Sequence, residues 1–351
     1  MSAGARAERV AWVESPLQLI NAIEYGEASG GDLVIEPRGG ILQLPETIAA
    51  VSSLLPTGVR ITEPIGSIGV GGFRSAAEKV VGDVFSGQFR ALVARYGMRG
   101  ITIVDDGSAT VHFATELLRG RLVRMAQNEN IVMRTLGSLV ARRLLASAAT
   151  GEVTLFTAYS DDPSVLSLAA LGVRVEPNEY AWLRSLETST LMAMGAAPRH
   201  PLVILGSALV TDSQVSIDHY LDWVRSVAVA GNVSYLPHRR ESDALRAAVS
   251  EIAGVTVEPG VLPVELVLGA SHSLERVVTL PTSAVATLRA ILEPAVDVAV
   301  TPVPESWWLP GSDPSIRRAF DQMAGPILPR TAQSSAPLSE STDREDDTNV
   351  T

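Results

Sequence analysis

The chain has 351 residues, of which 46% are hydrophobic, and this apolar share excludes disorder of the whole chain. Its net charge of −11 argues against non-specific nucleic-acid binding, which needs a basic surface. Cysteine is absent, which excludes disulfides, thiolate nucleophiles, zinc–thiolate sites and iron–sulfur clusters. Any chemistry must therefore come from carboxylates, histidines, arginines, hydroxyls or the backbone.

Over the first half of the chain, short β-branched runs alternate with helical patterns. Strands are predicted at Arg9–Val13, Asp32–Ile35, Val59–Thr62, Gly100–Val104, Val153–Phe156 and Val173–Glu176. Helices are predicted at Pro16–Ser29, Pro45–Leu55, Phe73–Tyr96 and Ala109–Ala126. Such alternation is typical of a parallel sheet covered by helices.

The same alternation restarts near residue 200. Strands are predicted at Pro201–Leu205, Val233–Leu236, Val255–Glu258, Arg276–Leu280 and Val296–Val300, with helices at Ser216–Ala230, Asp243–Ile252 and Ser283–Leu292. We therefore expect an α/β protein with two Rossmann-like domains, 1–195 and 200–328, joined by the linker-like stretch Met194–Pro201. The acidic, Ser- and Thr-rich end, 329–351, is predicted to be disordered.

An acidic motif follows the predicted strand Gly100–Val104. Open parallel sheets bind ligands beyond the carboxyl ends of their strands, where Asp105, Asp106 and Gly107 stand. Adjacent carboxylates are costly there unless they are solvated, hydrogen-bonded or functional, and one of them could act as a general base. The alternative is an ordinary turn in which Ser108 caps the next helix.

A histidine follows the predicted strand Val233–Leu236. His238 precedes Arg239 and Arg240, and adjacent arginines suit an anionic group. Histidine can donate a proton near neutral pH, so His238 is a candidate acid. A structural histidine is the alternative.

Two later segments carry candidate ligand-binding groups. Glu265 lies in an apolar helical run and could accept two hydrogen bonds from a ribose diol; an exposed helix position is the alternative. Thr282 and Ser283 follow the strand Arg276–Leu280 and begin a helix, where hydroxyls and free N–H groups form an anion site. Ordinary helix capping would explain the same two residues.

Metal and phosphate-loop motifs are missing from the sequence. Outside the acidic end 329–351, Asp161 and Asp162 form the only other acidic pair. No DxD-like pair stands beside a nucleotide site, and no zinc-type histidine spacing occurs. Neither GxxxxGK[ST] nor GxSxG is present. We therefore expect no metal site and no bound cofactor.

The N-terminus lacks the apolar run of a signal peptide, and no stretch approaches the ~18 uninterrupted apolar residues of a membrane span. A cytoplasmic protein is therefore expected. The segment Thr115–Ala146 carries six arginines and two glutamates and is typical of a basic amphipathic helix. It is either a solvated helix face or a surface that contacts anionic lipid or glycan, which would place the protein at the inner face of a membrane.

The ordered set of motifs resembles the bacterial sialyltransferases of the GT-B architecture, including the polysialyltransferase and lipooligosaccharide sialyltransferase families. Those enzymes share an acidic D/E-D/E-G motif, an HP motif and an SS or ST motif. The matching positions here are Asp105-Asp106-Gly107, His238-Arg239 and Thr282-Ser283. The segments 13–24 and 203–210 are also similar to the starts of the family's two domains, so the resemblance spans residues 10 to 290. Arg239 replaces the proline of the HP motif, which leaves other CMP-activated ulosonic acids open as donors.

The resemblance implies an inverting, metal-independent transfer of sialic acid or a related ulosonic acid from a CMP-sugar to a glycan hydroxyl. The CMP-activated nonulosonic acid is then a substrate and not a cofactor. Asp106, or else Asp105, would accept the acceptor proton, and His238 would hydrogen-bond or protonate the departing CMP phosphate. The implied donor-binding residues are Glu265, Thr282, Ser283, Gly206, Ser207, Arg239, Ser15 and Gln18.

Other function classes fit parts of the same pattern. One is a GT-B enzyme that uses a UDP- or GDP-sugar, in which Glu265 would still bind ribose. Another is a non-catalytic protein that binds acidic glycans through its arginines. The sequence leaves open the donor sugar, the acceptor and linkage, whether a polymer is made, and the oligomeric state.

Overall fold

Two parallel β-sheets organise the computed structural model, which describes residues 9–68, 71–124, 129–193 and 197–324. The strands found in these ranges are β1 (Arg9–Val13), β2 (Leu33–Pro37), β3 (Val59–Ile61), β4 (Glu78–Val81), β5 (Ile101–Val104), β6 (Val153–Thr157), β7 (Arg174–Pro177), β8 (Leu202–Leu205), β9 (Val233–Leu236), β10 (Val255–Val257), β11 (Arg276–Thr279) and β12 (Asp297–Val300). They form a sheet of order β3-β2-β1-β4-β5-β6-β7 and a second of order β10-β9-β8-β11-β12.

Helices connect and cover these strands. In the described ranges they are α1 (Pro16–Ser29), α2 (Leu44–Val51), α3 (Gly87–Tyr96), α4 (Ala109–Leu118), α5 (Ile131–Ala148), α6 (Pro163–Ala170), α7 (Ala181–Ser185), α8 (Thr188–Ala193), α9 (Ile217–Ala228), α10 (Asp243–Ser250), α11 (Val264–Gly269), α12 (Ala284–Ile291) and α13 (Pro314–Ala324). None of the described helices is long and apolar enough to cross a membrane.

Strand order places a crevice in each sheet. In the larger sheet, β1 pairs with β2 on one side and with β4 on the other; in the smaller sheet, β8 pairs with β9 and β11. At these two points the chain reverses its direction of progress across the sheet, and ligands of open α/β sheets bind at such points, beyond the strand ends. The loops after β1 and β8 therefore stand where ligands are expected.

An apolar core continues from one sheet to the other. One cluster of buried residues includes side chains from β1, α1, α7, α11, α12 and β8, so helices from both parts of the chain share it. Hydrogen bonds cross the same boundary: Arg184 Nε donates to Ile291 O at 2.9 Å, and Thr188 Oγ1 donates to Ala270 O at 2.8 Å. The outer faces of the two sheets pack in separate clusters.

Two parallel α/β sheets whose strand ends meet at one cleft are the GT-B architecture, and the predicted fold class is confirmed. The domain limits 1–195 and 200–328 stay a prediction. The predicted disordered end, 329–351, lies outside the described residues, as does part of the stretch Met194–Pro201.

Two predicted helices are wrong in part. The range Phe73–Tyr96 contains a 3₁₀ turn (Phe73–Ser75), the strand β4 and the helix α3. The helix predicted at Ala109–Ala126 ends at Leu118, because Gly120 turns the chain with φ +68°. The basic segment Thr115–Ala146 is consequently the end of α4, a connection and most of α5 rather than one helix.

Candidate active site

A cleft of about 270 Å³ lies between the two sheets, near the lower end of the ~300–1,000 Å³ usual for small-molecule sites. The larger sheet contributes the loops after β1 and β5 and the residue before α2. The smaller sheet contributes the loops after β8, β9 and β11 and the start of α11. The lining residues that carry polar side chains are Ser15, Gln43, Asp106, His238, Arg239, Glu265, Thr282, Ser283 and Thr287.

Asp106 is the carboxylate that reaches the cleft from the larger sheet. Gly107 turns the chain directly after it with φ +62°, a conformation that glycine adopts without strain. Ser15 Oγ donates to Asp106 Oδ1 at 3.4 Å, and Ser15 also caps α1 by accepting the N–H of Gln18 at 3.2 Å. Burial and the nearby carboxylate of Asp83 raise the pKa of Asp106 to about 6. This group is therefore mostly ionised at pH 7, as a general base must be.

Asp105 and Gln18 lie behind the cleft wall rather than in it. Asp105 is 1% exposed, and its Oδ2 accepts the N–H of Ala158 at 2.7 Å, an arrangement that ties β5 to β6. Burial raises the pKa of Asp105 to about 6. Gln18 Oε1 accepts the N–H of Glu14 at 2.7 Å, and its side chain also hydrogen-bonds Asp106. Of the acidic pair, Asp106 is the one placed to meet a ligand.

His238 faces the cleft from the loop after β9. Its Nδ1 accepts the N–H of Arg240 at 3.2 Å, so in the neutral ring Nε2 carries the proton. Burial and the charges of Arg240 and Arg239 lower the pKa of His238 to about 4. The ring is therefore neutral at pH 7 and can donate a hydrogen bond from Nε2, but it is not an imidazolium.

The two arginines after His238 have different surroundings. Arg239 is exposed and lines the cleft, where it is available to an anion. Arg240 pairs with Asp212 at 2.9 Å, so its guanidinium is already engaged. The anionic group predicted to bind this pair would thus meet Arg239.

Gly206 lines the cleft, and a protein group occupies the space that its side chain would need. A Cβ at this position would stand 2.0 Å from Glu241 Oε1 and 2.8 Å from the backbone N of His238. Ser207 is not part of the lining, and its N–H donates to Tyr220 Oη at 3.1 Å. The approach of Glu241 accounts for glycine at 206, and the donor-binding role that the resemblance implies for Gly206 and Ser207 stays a prediction.

Glu265 lies in the first turn of α11 and is 8% exposed. Burial raises the pKa of Glu265, and the positive charge of Arg239 opposes that rise. The alternative of an exposed helix position is wrong, because this carboxylate lines the cleft. A buried carboxylate at a cleft can accept hydrogen bonds from a ligand diol.

Thr282 and Ser283 stand at the start of α12. Thr282 Oγ1 accepts the N–H of Ala284 at 3.4 Å, but Ser283 makes no side-chain capping bond. Ser108, the alternative helix cap of the acidic motif, occupies the N-cap position of α4 but also makes no side-chain capping bond. The hydroxyl of Ser283 therefore remains available at the positive end of a helix, which suits an anion.

Sequence patterns did not identify several residues that lie at or beside the cleft. Gln43 lines the cleft from before α2, and its Nε2 donates to Gly260 O at 3.1 Å across the two sheets. Asp83 follows β4, a strand that the sequence analysis missed, and it pairs with Arg124 at 2.5 Å. Thr287 lies one turn into α12. Among the described residues, no group of three or more His, Asp or Glu could hold a metal ion.

Comparison with known proteins gives distant structural matches only. No protein-family model matches the chain, and no curated protein is similar enough to count as a relative. The α/β-galactoside α-2,3-sialyltransferase of Photobacterium phosphoreum has 10% identity and a TM-score of 0.48, covering 90% of this chain and 94% of that one. A UDP-glucose:anthocyanidin 3-O-glucosyltransferase in complex with UDP has 11% identity and a TM-score of 0.44, covering 85% and 81%.

A third structure, the E. coli heptosyltransferase WaaC with ADP-2-deoxy-2-fluoro heptose, has 15% identity and a TM-score of 0.39, covering 90% of this chain and 98% of that one. Because these TM-scores are low, the fold assignment rests on the two sheets and their cleft.

Proposed function

We propose that the protein is a glycosyltransferase that moves sialic acid or a related ulosonic acid from a CMP-sugar to a hydroxyl of a glycan acceptor, with inversion at the anomeric carbon. One observation carries the proposal. Asp106 from one sheet and His238, Glu265, Thr282 and Ser283 from the other line a single cleft. Residues from all three sequence motifs, far apart in the chain, thus line one cleft, and this supports a shared role in binding and transfer.

In the proposed reaction, the acceptor oxygen attacks the anomeric carbon as the bond from that carbon to the CMP phosphate oxygen breaks. Asp106 takes the proton of the attacking hydroxyl, which becomes an ether oxygen in the product. Its raised pKa makes it a stronger base than an ordinary aspartate, while it stays ionised at pH 7. Ser15 donates to Asp106 Oδ1 and helps to hold the carboxylate in the cleft.

The electron pair of the breaking bond passes to the CMP phosphate. His238 donates the Nε2 proton as a hydrogen bond to that phosphate, and Arg239 supplies positive charge. The hydroxyls of Thr282 and Ser283 and the N–H groups at the start of α12 contribute further donors. In this proposal Glu265 accepts the ribose hydroxyls and no metal takes part, so transfer should persist in excess EDTA.

A nucleotide panel followed by a turnover panel tests the donor. Thermal unfolding is measured with CMP, CTP, UDP, GDP and ADP at equal concentration, since a ligand that binds the native state raises its stability. Stabilisation by CMP and CTP alone supports the proposal. Stabilisation by UDP or GDP instead would mean a different nucleotide-sugar, and glycan binding without hydrolysis of any CMP-sugar would mean a non-catalytic protein.

A membrane contact through 115–146 is a separate part of the proposal. Four of the six arginines have partners: Arg119 and Arg121 pair with Glu116, Arg124 with Asp83, and Arg143 donates to a backbone carbonyl. What supports the contact is the start of α5, where Ile131 and Val132 are 78% and 68% exposed beside an exposed Arg134. Sedimentation with vesicles of rising anionic lipid content tests it, with Ile131→Ser/Val132→Ser as the variant. Equal sedimentation at all compositions would exclude it.

A further inference from the structure

Behind the cleft wall, a chain of hydrogen bonds joins the loop after β8 to the loop after β9. Ser207 N donates to Tyr220 Oη at 3.1 Å, and Tyr220 Oη lies 2.7 Å from Tyr235 Oη. Tyr235 Oη in turn donates to Glu241 Oε1 at 2.9 Å. Because Tyr235 uses its proton on Glu241, it must accept the proton of Tyr220. The chain therefore runs in one direction and ends on the carboxylate.

The same carboxylate oxygen closes the turn that presents His238. Glu241 Oε1 accepts the N–H of His238 at 2.9 Å, while the N–H of Glu241 donates to His238 O at 2.8 Å. Ser242 then caps α10 by accepting the N–H of Leu245 at 3.2 Å. The short segment 238–241 is thus held by reciprocal bonds between its first and last residues.

Burial makes this arrangement costly to keep. Tyr220 and Tyr235 are fully buried and Glu241 is 4% exposed, with Arg246 as the nearby positive charge. Burial raises the pKa of Glu241 to about 7, against the hydrogen bonds it accepts. Gly206 leaves the space that Glu241 Oε1 fills. An apolar side chain would avoid that desolvation cost, but it would leave the N–H of His238 and the hydroxyl of Tyr235 without their acceptor. The carboxylate is therefore the group that ties these two donors together.

We propose that Glu241 is a positioning residue that holds the His238 turn and the Gly206–Ser207 loop in one fixed arrangement on the donor side of the cleft. It touches no substrate itself and acts through the backbone of His238 and through the two tyrosines. The proposal rests on the function proposed above, in which His238 meets the donor phosphate. Without the carboxylate the turn opens, Arg240 N leaves His238 Nδ1, and the ring is no longer restricted to the tautomer with the proton on Nε2.

Selective ¹⁵N-histidine labelling gives a readout that does not depend on catalysis. The chain has five histidines, so the ring signals are few and His238 is assigned by its loss in His238→Gln. At neutral pH the wild type should show His238 with the proton on Nε2 alone. Glu241→Ala should give averaged tautomer shifts, whereas Glu241→Gln should keep the wild-type pattern because an amide oxygen accepts the same two hydrogen bonds. Glu251→Ala, at an exposed position after α10, is the matched control.

Turnover of the CMP-sugar gives the second readout. Glu241→Ala should lower kcat by about 10- to 100-fold, the cost expected of a misplaced group, while KM for the donor changes by less than about threefold. Glu241→Gln should restore kcat, and Glu251→Ala should leave it unchanged. If Glu241→Ala does not fold, Tyr235→Phe, which removes one hydroxyl and keeps the ring, should shift both readouts in the same direction.

The outcomes separate the two proposals. If Glu241→Ala folds and its His238 signals or its kcat are unchanged, the positioning role is refuted. If Glu241→Ala does not fold, unchanged His238 signals in Tyr235→Phe refute the role instead. An equal loss in Glu241→Gln and Glu241→Ala refutes the hydrogen-bonding account. A wild type that turns over no CMP-sugar refutes the proposed function, while the tautomer measurement still decides the link between Glu241 and His238.

Discussion

The neighbouring carboxylates Asp105 and Asp106 offer a matched pair of substitutions. Asp106 lines the cleft, whereas Asp105 is 1% exposed and bonded to Ala158. Asp106→Asn should lower kcat for transfer by about 10²- to 10⁴-fold, the usual contribution of a general base. Asp105→Asn should stay within about threefold of the wild type, because the amide oxygen accepts the same hydrogen bond.

The pH dependence of kcat/KM is a second test of Asp106 as the general base. With its pKa raised to about 6, Asp106 is ionised over protonated by about ten to one at pH 7. Only the ionised form accepts a proton, so kcat/KM should be nearly flat above pH 7. It should fall about tenfold for each pH unit below about 6, since kcat/KM reports the free enzyme.

Initial rates of CMP release, measured from pH 5 to 8 at several donor and acceptor concentrations, provide these numbers. Thermal unfolding of each variant controls for damage to the fold, and CMP binding controls for damage to the donor side. The reasoning is refuted if Asp106→Asn keeps wild-type kcat. It is equally refuted if Asp105→Asn, with unchanged thermal stability and CMP binding, loses as much kcat as Asp106→Asn.

Three further substitutions test the donor side. His238→Ala should lower kcat by about 100-fold through loss of the donor to the phosphate, measured as CMP release; unchanged kcat would contradict the assignment. Glu265→Ala should raise KM for the CMP-sugar about tenfold with a smaller change in kcat, because the ribose contacts are uniform binding. Gly206→Ala should cost about 1–3 kcal/mol of unfolding free energy in urea, since its Cβ would stand 2.0 Å from Glu241 Oε1. Gly66→Ala, where a Cβ meets nothing within 4 Å, should cost far less.

The sequence predicts an element well where its signals are local. Ser15 and Pro16 start α1 with a side-chain cap and a proline in the first turn, and Gly30 ends it with φ +64°, so its limits Pro16–Ser29 agree with the structure. The strand β4 was not predicted, because it begins with the charged residues Glu78 and Lys79, whereas buried strands are usually apolar.

Two of the three partners that make β4 tolerable, Arg99 and Thr102, are distant in the chain. Lys79 Nζ donates to Ala76 O at 2.7 Å and to Arg99 O at 3.2 Å, and Glu78 Oε1 accepts from Thr102 Oγ1 at 2.5 Å. Such contacts leave no pattern in the neighbouring residues, so the sequence alone predicted a helix over Phe73–Tyr96. The missed strand also hid Asp83, which follows it and influences Asp106.

The site shows the same division between local and long-range signals. Asp106, His238 and Thr282 each follow a strand, and the three residues line one cleft because every strand involved is parallel. A rule about strand ends could not identify Glu241, because Glu241 lies in the loop after β9 and its contact is with Gly206 after β8. The rule also could not show that Asp105 is withdrawn from the cleft. Residues alternate between the two faces of a sheet only within a strand, and Asp105 lies just beyond the end of β5.

Burial shifts the two central groups of the site in opposite directions, raising the pKa of Asp106 and lowering that of His238. A bound CMP phosphate adds negative charge, which favours the protonated form of both. Donor binding should therefore raise both pKa values, making Asp106 a stronger base and increasing the fraction of His238 that is protonated. The pKa of the acidic limb in kcat should consequently exceed the one in kcat/KM, because the first reports the complex and the second the free enzyme. Equal limbs in the two profiles would mean that the donor phosphate does not bind near Asp106.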